Sequence, residues 1–359
     1  MATVHRASKP IGAGVLREVA LKRLLPQLVD DKLFVEDFIR EAKLAAQLDH
    51  PNIVHILELG EVDGTYFIAM ELVRGASLAH LMKQAYATKL SAPVGVVVAL
   101  ISELCDALDY AAHGRGIYGQ PLMIIHRDLT PSNLIVTDEG RVKIIDFGVA
   151  KAMSGKFMTN TGLIKGKLGY MSVEALAGTA LDARTDVFSV GVVAWELLTG
   201  RRLFRGLNEY EVITKIRSGK IVAPSAHNDD CPEELDAIVL NALARDRDER
   251  WSSAAEMRVA LDGLRRHYRD GAAEVIAWKE ALIPSVRPEP RPGTNDELTS
   301  NLAEGSVRQP SHGDLQVTPA PRPRIEEPTR RDQPAAREIT LDDEQTTLDA
   351  AVPTPRAEE

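Results

Sequence analysis

The side chains that could do chemistry are concentrated in one short stretch of the chain. The string HRDLTPSN at residues 126–133 is followed by a β-type run, residues 142–145, which leads into the tripeptide DFG at 146–148. The carboxylates and the amide of these two motifs are hard oxygen ligands, of the kind that Mg²⁺ prefers. A carboxylate beside such a site can also accept a proton from a hydroxyl group. Brought together, these residue types could serve one site at which a bound cation and a base act together.

The two motifs at this spacing resemble the catalytic loop and the metal-binding motif of the eukaryotic-like protein kinases, most closely the bacterial Hanks-type Ser/Thr kinases. The resemblance implies an α+β, bilobal protein-kinase fold, with ATP and Mg²⁺ (or Mn²⁺) as cofactors. In this family Asp128 would accept the proton of the substrate hydroxyl, and Asn133 and Asp146 would hold the metal against the phosphates. Such residues suit phosphoryl transfer, which depends on positioning and charge neutralisation more than on covalent chemistry.

The resemblance places the rest of the ATP site upstream. Lys22, in the string VALK at residues 19–22, is expected to hold the α- and β-phosphates. Glu41 is expected to pair with Lys22 and to fix its position. Residues 70–73 correspond to the family's interlobe hinge, and backbone groups near Glu71 and Val73 are expected to bind adenine. The side chains expected to pack on the adenine are those of Val4, Ala20 and Ile135.

A second group of motifs, further downstream, is expected to be structural. The string GYMSVE at residues 169–174 resembles the end of the family's activation segment, with Val173 where proline is usual. Glu174 is expected to form a buried ion pair with Arg250, and Asp186 is expected to brace the backbone of the catalytic loop. These assignments leave the chemistry to the upstream residues.

Regulation is expected at the activation segment. In the family, an arginine in the position of Arg127 often gathers a phosphate on that segment and so orders it. Thr159 and Thr161 are the predicted autophosphorylation sites, with two ordinary loop threonines as the alternative. Beside protein substrates, two further partners are options: a second copy for trans-autophosphorylation, and a phosphothreonine-reading protein at three tail residues, Thr340, Thr346 and Thr347.

The catalytic loop departs from the family at one position. Ser/Thr kinases usually have lysine two residues after the catalytic aspartate, where this chain has Thr130, and threonine where this chain has Lys167. Those two positions meet each other and the aspartate in the family. The positive charge beside Asp128 is therefore expected to come from Lys167, in the manner of an electrostatic stabiliser. A surface lysine in a mobile loop is the alternative.

The first residues of the chain resemble only the second half of the family's Gly-rich loop and the strand after it. The first strand and the first two glycines of GxGxxGxV have no counterpart, and Gly12 and Gly14 lie in the next turn. Without that loop, backbone N–H donors over the phosphates are missing. A start codon assigned too late is the favoured explanation, and a real truncation is the alternative.

Hydrophobic periodicity predicts the elements of the first lobe. A strand is predicted at 17–24 and a helix at 32–48. Two more strands, at 53–59 and 65–73, are predicted on either side of a turn at Asp63-Gly64. A small β-rich lobe is therefore expected ahead of a larger helical one.

The whole chain is predicted to have four segments. They are a kinase N-lobe at 1–73, a C-lobe at 74–267 with a buried core helix at 94–104, a docking helix at 268–283, and a tail at 284–359. The tail holds 12 of the 20 prolines and no Phe, Tyr or Trp. Such a composition cannot bury enough apolar area to offset its ordering entropy, so the tail is expected to be disordered.

Bulk properties exclude several classes of function. The net charge of -9 disfavours a nucleic-acid binder. No apolar run has the 18 or so residues that a membrane span needs, and the N-terminus lacks the apolar core of a secretory signal. The two cysteines, Cys105 and Cys231, have no metal-ligand spacing and are expected to be inert thiols in a reducing cytoplasm.

The predicted function is that of an ATP-dependent kinase that phosphorylates Ser and Thr on proteins. A pseudokinase that binds partners without turnover is the alternative, favoured only by the incomplete Gly-rich loop. A small-molecule kinase of similar fold is a weaker third option, because the long activation segment and the Glu174 motif argue against it.

Overall fold

The computed structural model describes residues 2–10, 12, 15–116, 119–147, 166–268 and 271–283. Its seven strands are β1 Ala2–Pro10, β2 Leu16–Leu24, β3 Ile56–Val62, β4 Thr65–Glu71, β5 Gly75–Ser77, β6 Leu134–Thr137 and β7 Val142–Ile144. Its nine helices, counted over the same residues, are α1 Lys32–Ala45, α2 Leu78–Thr88, α3 Val94–His113, α4 Val173–Ala177, α5 Arg184–Thr199, α6 Glu209–Ser218, α7 Glu233–Ala242, α8 Ala254–Arg265 and α9 Gly271–Leu282. The predicted phosphosites Thr159 and Thr161 and the predicted tail lie outside these residues.

The first lobe is an antiparallel sheet in the order β1-β2-β4-β3, with α1 packed against it. Helix α1 begins where the Asp31 carboxylate accepts a hydrogen bond from the Leu33 N–H at 3.1 Å, the usual N-cap arrangement. It ends at Ala45, before the predicted residue 48. The N–H groups of Gln47 and Leu48 bond back only three residues, to Leu44 and Ala45, so the chain tightens into a 3₁₀-type turn.

The strand predicted at 53–59 begins later, at Ile56. Ile53 forms an isolated bridge with Ile144, and the Val54 N–H donates to the Ile144 carbonyl at 2.8 Å. These apolar residues therefore join the two lobes instead of extending the sheet. The turn between β3 and β4 lies where predicted, at Asp63 and Gly64, which have φ values of 50° and 72°. Two consecutive positive φ angles are typical of a tight two-residue hairpin.

The second lobe is built around two buried helices. The predicted core helix at 94–104 is α3, which continues to His113 and lies among α5, α8 and α9. Every described side chain of α5 from Thr185 to Thr199 is buried. A small sheet in the order β5-β6-β7 lies beside them, and the polar motifs at 126–133 and 146–147 lie directly before β6 and shortly after β7. The predicted α+β, two-lobed architecture is thereby confirmed.

Among the described helices, none combines the length and the apolar character needed to cross a lipid bilayer.

Candidate active site

A lysine on β2 lies between two carboxylates that come from distant parts of the chain. The Lys22 Nζ is 2.6 Å from Oε1 of Glu41 on α1 and 2.8 Å from Oδ1 of Asp146, just after β7. The side chains of Lys22 and Glu41 are 15% exposed, and that of Asp146 is 29% exposed. The Lys22–Glu41 pair is the one that the resemblance leads us to expect, and the contact with Asp146 is an addition that the structure shows.

The electrostatics of this cluster favour an additional cation. Burial and the neighbouring Asp146 carboxylate raise the pKa of Glu41 to about 8, against the opposing effect of Lys22. Burial tends to lower the pKa of Lys22, but Asp146 and Glu41 outweigh it and raise that pKa. Two carboxylates thus compete for one ammonium, which favours a proton on Glu41, and a bound cation beside them would favour the ionised form of both.

The predicted adenine contacts are only partly brought together. Ala20 and Val73 both pack on the apolar cluster between α1 and the sheet, whereas Ile135 lies outside it. Val4 is opposite Lys22 in the β1–β2 register and is 63% exposed. The prediction for Glu71 concerns its backbone, and its side chain pairs with Lys143, the Oε1 lying 2.5 Å from the Nζ.

The catalytic loop holds Asn133 in an orientation that suits metal binding. Asn133 ends a short 3₁₀ turn, and its Nδ2 donates to the Asp128 carbonyl at 2.8 Å. Its Oδ1 is therefore the atom that remains for a cation, and amide and carboxylate oxygens such as those of Asn133 and Asp146 are the kind of ligand that Mg²⁺ prefers. Among the residues that the structure describes, no three His, Cys, Asp or Glu side chains form a ready-made metal cage. The remaining ligands would be phosphate oxygens and water.

A buried carboxylate braces this loop from below. Asp186 accepts hydrogen bonds from the backbone N–H groups of His126, at 2.7 Å, and Arg127, at 2.9 Å. Burial raises the pKa of Asp186 to about 6 even though both donors oppose the rise. Arg127 has a φ of 64°, which is unfavourable for a residue with a side chain. The two hydrogen bonds therefore hold a strained backbone immediately before Asp128.

A second positively charged side chain, that of Lys167, lies beside Asp128. The Lys167 Nζ is 2.6 Å from the Asp128 Oδ2, and its side chain is 37% exposed. Thr130 is buried, and its hydroxyl has no hydrogen-bond partner within the described part of the chain. The charge that a lysine at position 130 would bring is thus supplied from the other side of the site, by Lys167.

The predicted structural pair, Glu174 and Arg250, forms a closed arrangement. The Arg250 guanidinium donates to both carboxylate oxygens of Glu174, at 2.7 and 2.9 Å, and also to three backbone carbonyls. The Arg250 side chain is 0% exposed. Burial opposes ionisation of Glu174, but the Arg250 hydrogen bonds outweigh it and hold the pKa at about 2.

Sequence reasoning missed one buried acid near the site. Glu196 on α5 accepts hydrogen bonds from the Tyr170 hydroxyl at 2.8 Å and from the Leu203 N–H at 3.1 Å, and Arg202 lies 3.3 Å from it. Because Tyr170 closes the short turn that begins beside Lys167, Glu196 fixes the backbone next to the Lys167–Asp128 pair. The available signal was one acidic residue in the otherwise apolar run VVAWELL.

Known proteins share this sequence pattern and this fold. Residues 9–260 match the family model described as protein kinase domain. A protein named tyrosine-protein kinase MasK from Myxococcus xanthus is 39% identical over 266 residues, which are 74% of this chain and 41% of that protein. Serine/threonine-protein kinase PknB of Mycolicibacterium smegmatis is 34% identical over 315 residues, 86% of this chain and 45% of that protein. The chain thus spans less than half the length of these curated relatives.

A solved structure gives the same picture for the fold. The crystal structure of the PknI kinase domain of Mycobacterium tuberculosis is 29% identical, with a TM-score of 0.53. The match covers 73% of this chain and 90% of that domain.

Proposed function

Because the chain belongs to the protein kinase domain family, we propose that it is an ATP-dependent protein kinase. Its acceptors are Ser and Thr hydroxyls of proteins, and it autophosphorylates its activation segment at Thr159 and Thr161. The observation that carries this proposal is the cluster of Lys22, Glu41 and Asp146. A pseudokinase would not need that cluster together with Asp128 and Asn133, so we favour the enzyme.

The roles of the residues follow from their places in the site. Lys22, held by Glu41, binds the α- and β-phosphates, and Asn133 and Asp146 hold Mg²⁺, which neutralises charge on the phosphates when bound. Asp128 orients the acceptor hydroxyl and accepts its proton. The Lys167 ammonium, 2.6 Å from Asp128, stabilises the negative charge that develops there.

A tyrosine acceptor is the second candidate. MasK, which is 39% identical, is named a tyrosine-protein kinase, whereas the PknB relatives are named serine/threonine kinases. The Thr130 and Lys167 positions depart from the usual Ser/Thr pattern beside the catalytic aspartate. Both candidates use the same nucleotide site, so they differ only in the acceptor hydroxyl.

The test is phosphate incorporation by the purified chain with Mg-ATP, located by mass spectrometry, beside an Asp146→Asn variant. Phosphate on Thr159 or Thr161 in the wild-type chain alone would establish the proposed activity. Phosphate on tyrosine would favour the second candidate. A wild-type chain that incorporates no more phosphate than Asp146→Asn would contradict both.

Three further proposals accompany this function. A second copy of the chain acts as the substrate in trans, so the rate of incorporation per molecule should rise with protein concentration. A phosphothreonine-reading partner binds the tail at Thr340, Thr346 or Thr347, which lie beside acidic residues. The protein works in the cytoplasm, where ATP is available and where the two buried cysteines, which are free thiols, stay reduced.

A further inference from the structure

Helix α9 lies beyond the residues that match the kinase family, yet it is part of the packed core. Its buried apolar side chains are Val275, Trp278 and Leu282, and they pack with α2 and α3. At its first residue, Gly271, an added Cβ would come 2.9 Å from the Ala99 Cβ on α3. The two helices therefore approach too closely there for a larger side chain without adjustment.

One charged residue breaks the apolar character of this buried face. Lys279 is only 9% exposed. Its Nζ donates to the Thr137 carbonyl at 3.0 Å and to the Asp138 carboxylate at 2.5 Å. Burying an ammonium is costly unless it is paired and hydrogen-bonded. Two acceptors offset this cost here: Thr137, the last residue of β6, and Asp138, the first residue of the β6–β7 turn.

The same turn is shaped to receive α9. Gly140 has a φ of 74°, and a Cβ there would come 2.3 Å from the Ala272 carbonyl oxygen of α9. Glycine is therefore required both by the turn and by the approach of the helix. The helix and the turn are in backbone contact, with Lys279 bonded across them.

The β6–β7 turn is also hydrogen-bonded to the backbone next to the hinge. The Asp138 N–H donates to the Arg74 carbonyl at 3.1 Å, and Gly75 pairs with Thr137 in the β5–β6 ladder. Arg74 follows Val73, one of the predicted adenine contacts. The two strands that leave the turn carry Ile135 and lead to Asp146. Lys279 thus contacts a turn that is bonded to Arg74, directly after the hinge, and is continuous with the strands that carry Ile135 and lead to Asp146.

From this chain of contacts we propose that Lys279 is a positioning residue for nucleotide binding. Its ammonium holds the β6–β7 turn, and the turn holds the backbone of the hinge. The unit that binds ATP therefore extends through α9, to residue 283, rather than ending with the matched residues. This inference rests on the proposed function, because it concerns the same nucleotide site.

The experiment uses the full chain with four substitutions. Lys279→Met removes the charge and keeps an unbranched side chain, and Lys279→Arg restores the charge. Asp138→Ala removes the carboxylate partner, whose side chain is 59% exposed, and leaves the core intact. Glu280→Gln is the matched control, on the exposed side of the same helix. Binding of a fluorescent methylanthraniloyl-ATP, the KM for ATP, the KM for an acceptor peptide and the Tm are measured for each.

We expect Lys279→Met to raise the Kd of the ATP probe and the KM for ATP by about fivefold or more, with the KM for the peptide unchanged. Asp138→Ala should shift the same two constants in the same direction, Lys279→Arg should restore most of the loss, and Glu280→Gln should match the wild type. If the Kd and the KM for ATP stay within about twofold of wild type in both Lys279→Met and Asp138→Ala, whatever the Tm does, the inference is overturned and Lys279 is structural only. A wild-type chain that binds no ATP probe would instead overturn the proposed function.

Discussion

Two clusters of opposite charges lie in the same fold, and they are built for different purposes. Around Lys22, one ammonium faces two carboxylates, and all three side chains keep some contact with solvent, between 15% and 29%. Around Arg250, one guanidinium faces one carboxylate, and every donor has an acceptor in a site with 0% exposure for the arginine side chain. The first cluster has two carboxylates for one ammonium and is accessible to solvent. The second has one carboxylate for one guanidinium and is closed to solvent.

The difference shows how an ion pair's surroundings indicate its role. A closed pair has no donor or acceptor left for a ligand, so it contributes to the stability of the fold. Removing one partner leaves a buried charge unpaired. An unbalanced cluster can take a further charge, and its pKa values are perturbed by neighbours as well as by burial. Substitutions in the two clusters should therefore separate turnover from stability.

Loss of Lys22 should give the largest effect, and on turnover alone. In Lys22→Met the phosphates lose their ammonium contact, and kcat/KM should fall by about 10³-fold or more. The Tm should change little, because Glu41, whose pKa is about 8, carries a proton at neutral pH and is therefore not left as an unpaired buried charge when the ammonium is gone. Initial rates with Mg-ATP and thermal unfolding of the same preparation test this. A parallel collapse of the Tm would mean that the two clusters do not differ in kind.

Loss of Arg250 should give the opposite result. Arg250→Met leaves the Glu174 carboxylate buried and several carbonyls without a donor, which should lower the free energy of unfolding by about 3–5 kcal/mol. Arg247→Met is the matched control, since that neighbour is 39% exposed and should cost about 1 kcal/mol or less. Urea unfolding measures both. Equal losses in the two variants would contradict the closed character of the pair.

The acid sensitivity of the same pair sharpens the comparison. Glu174 has a pKa of about 2 in the folded protein against an ordinary value of 4.5. A pKa lowered by folding contributes stability that is fully present above pH 4.5 and is lost as the pH falls towards 2. The difference amounts to about 3 kcal/mol.

The measurement is the free energy of unfolding at several pH values, for the wild type and for Glu174→Gln. The gap between the two proteins should be widest above pH 4.5 and should narrow as the pH falls towards 2. A gap that is constant with pH would show that Glu174 contributes shape alone and not charge.

Much of the site could be predicted from the sequence, because its motifs are local. The string at 126–133 places Asp128 and Asn133 on one short loop, where the Asn133 amide bonds the Asp128 carbonyl. The resemblance to a known family predicts the Lys22–Glu41 pair, but the contact of Lys22 with Asp146, 124 positions away, is not predicted. The sequence pattern by itself gives no information about which strand a distant loop will meet.

The remaining errors arise where the local sequence fits two structures equally well and tertiary contacts decide between them. Ile53 and Val54 have the apolar character of a strand, but they contact Ile144 across the lobes, so β3 starts later. Glu196 and Lys279 are charged residues in buried positions, and no local rule predicts burial of a charge without its partners. Glu196 bonds to Tyr170, 26 positions away, and lies beside Arg202, six positions away. Lys279 bonds to Thr137, 142 positions away.

Lys167 tests whether a third kind of pair exists, intermediate between the two clusters. It is 2.6 Å from Asp128, but its side chain is 37% exposed, so solvent screens the pair and weakens its energetic value. Lys167→Ala should therefore lower kcat by about tenfold, less than the loss of a buried electrostatic group, and it should leave the KM for ATP and the Tm unchanged. Lys167→Arg should keep most of the activity because it keeps the charge, and Lys220→Ala, at an exposed position, should match the wild type. If Lys167→Ala stays within about twofold of wild type, the ammonium does not act on the developing charge, and proximity to Asp128 alone does not make a residue catalytic.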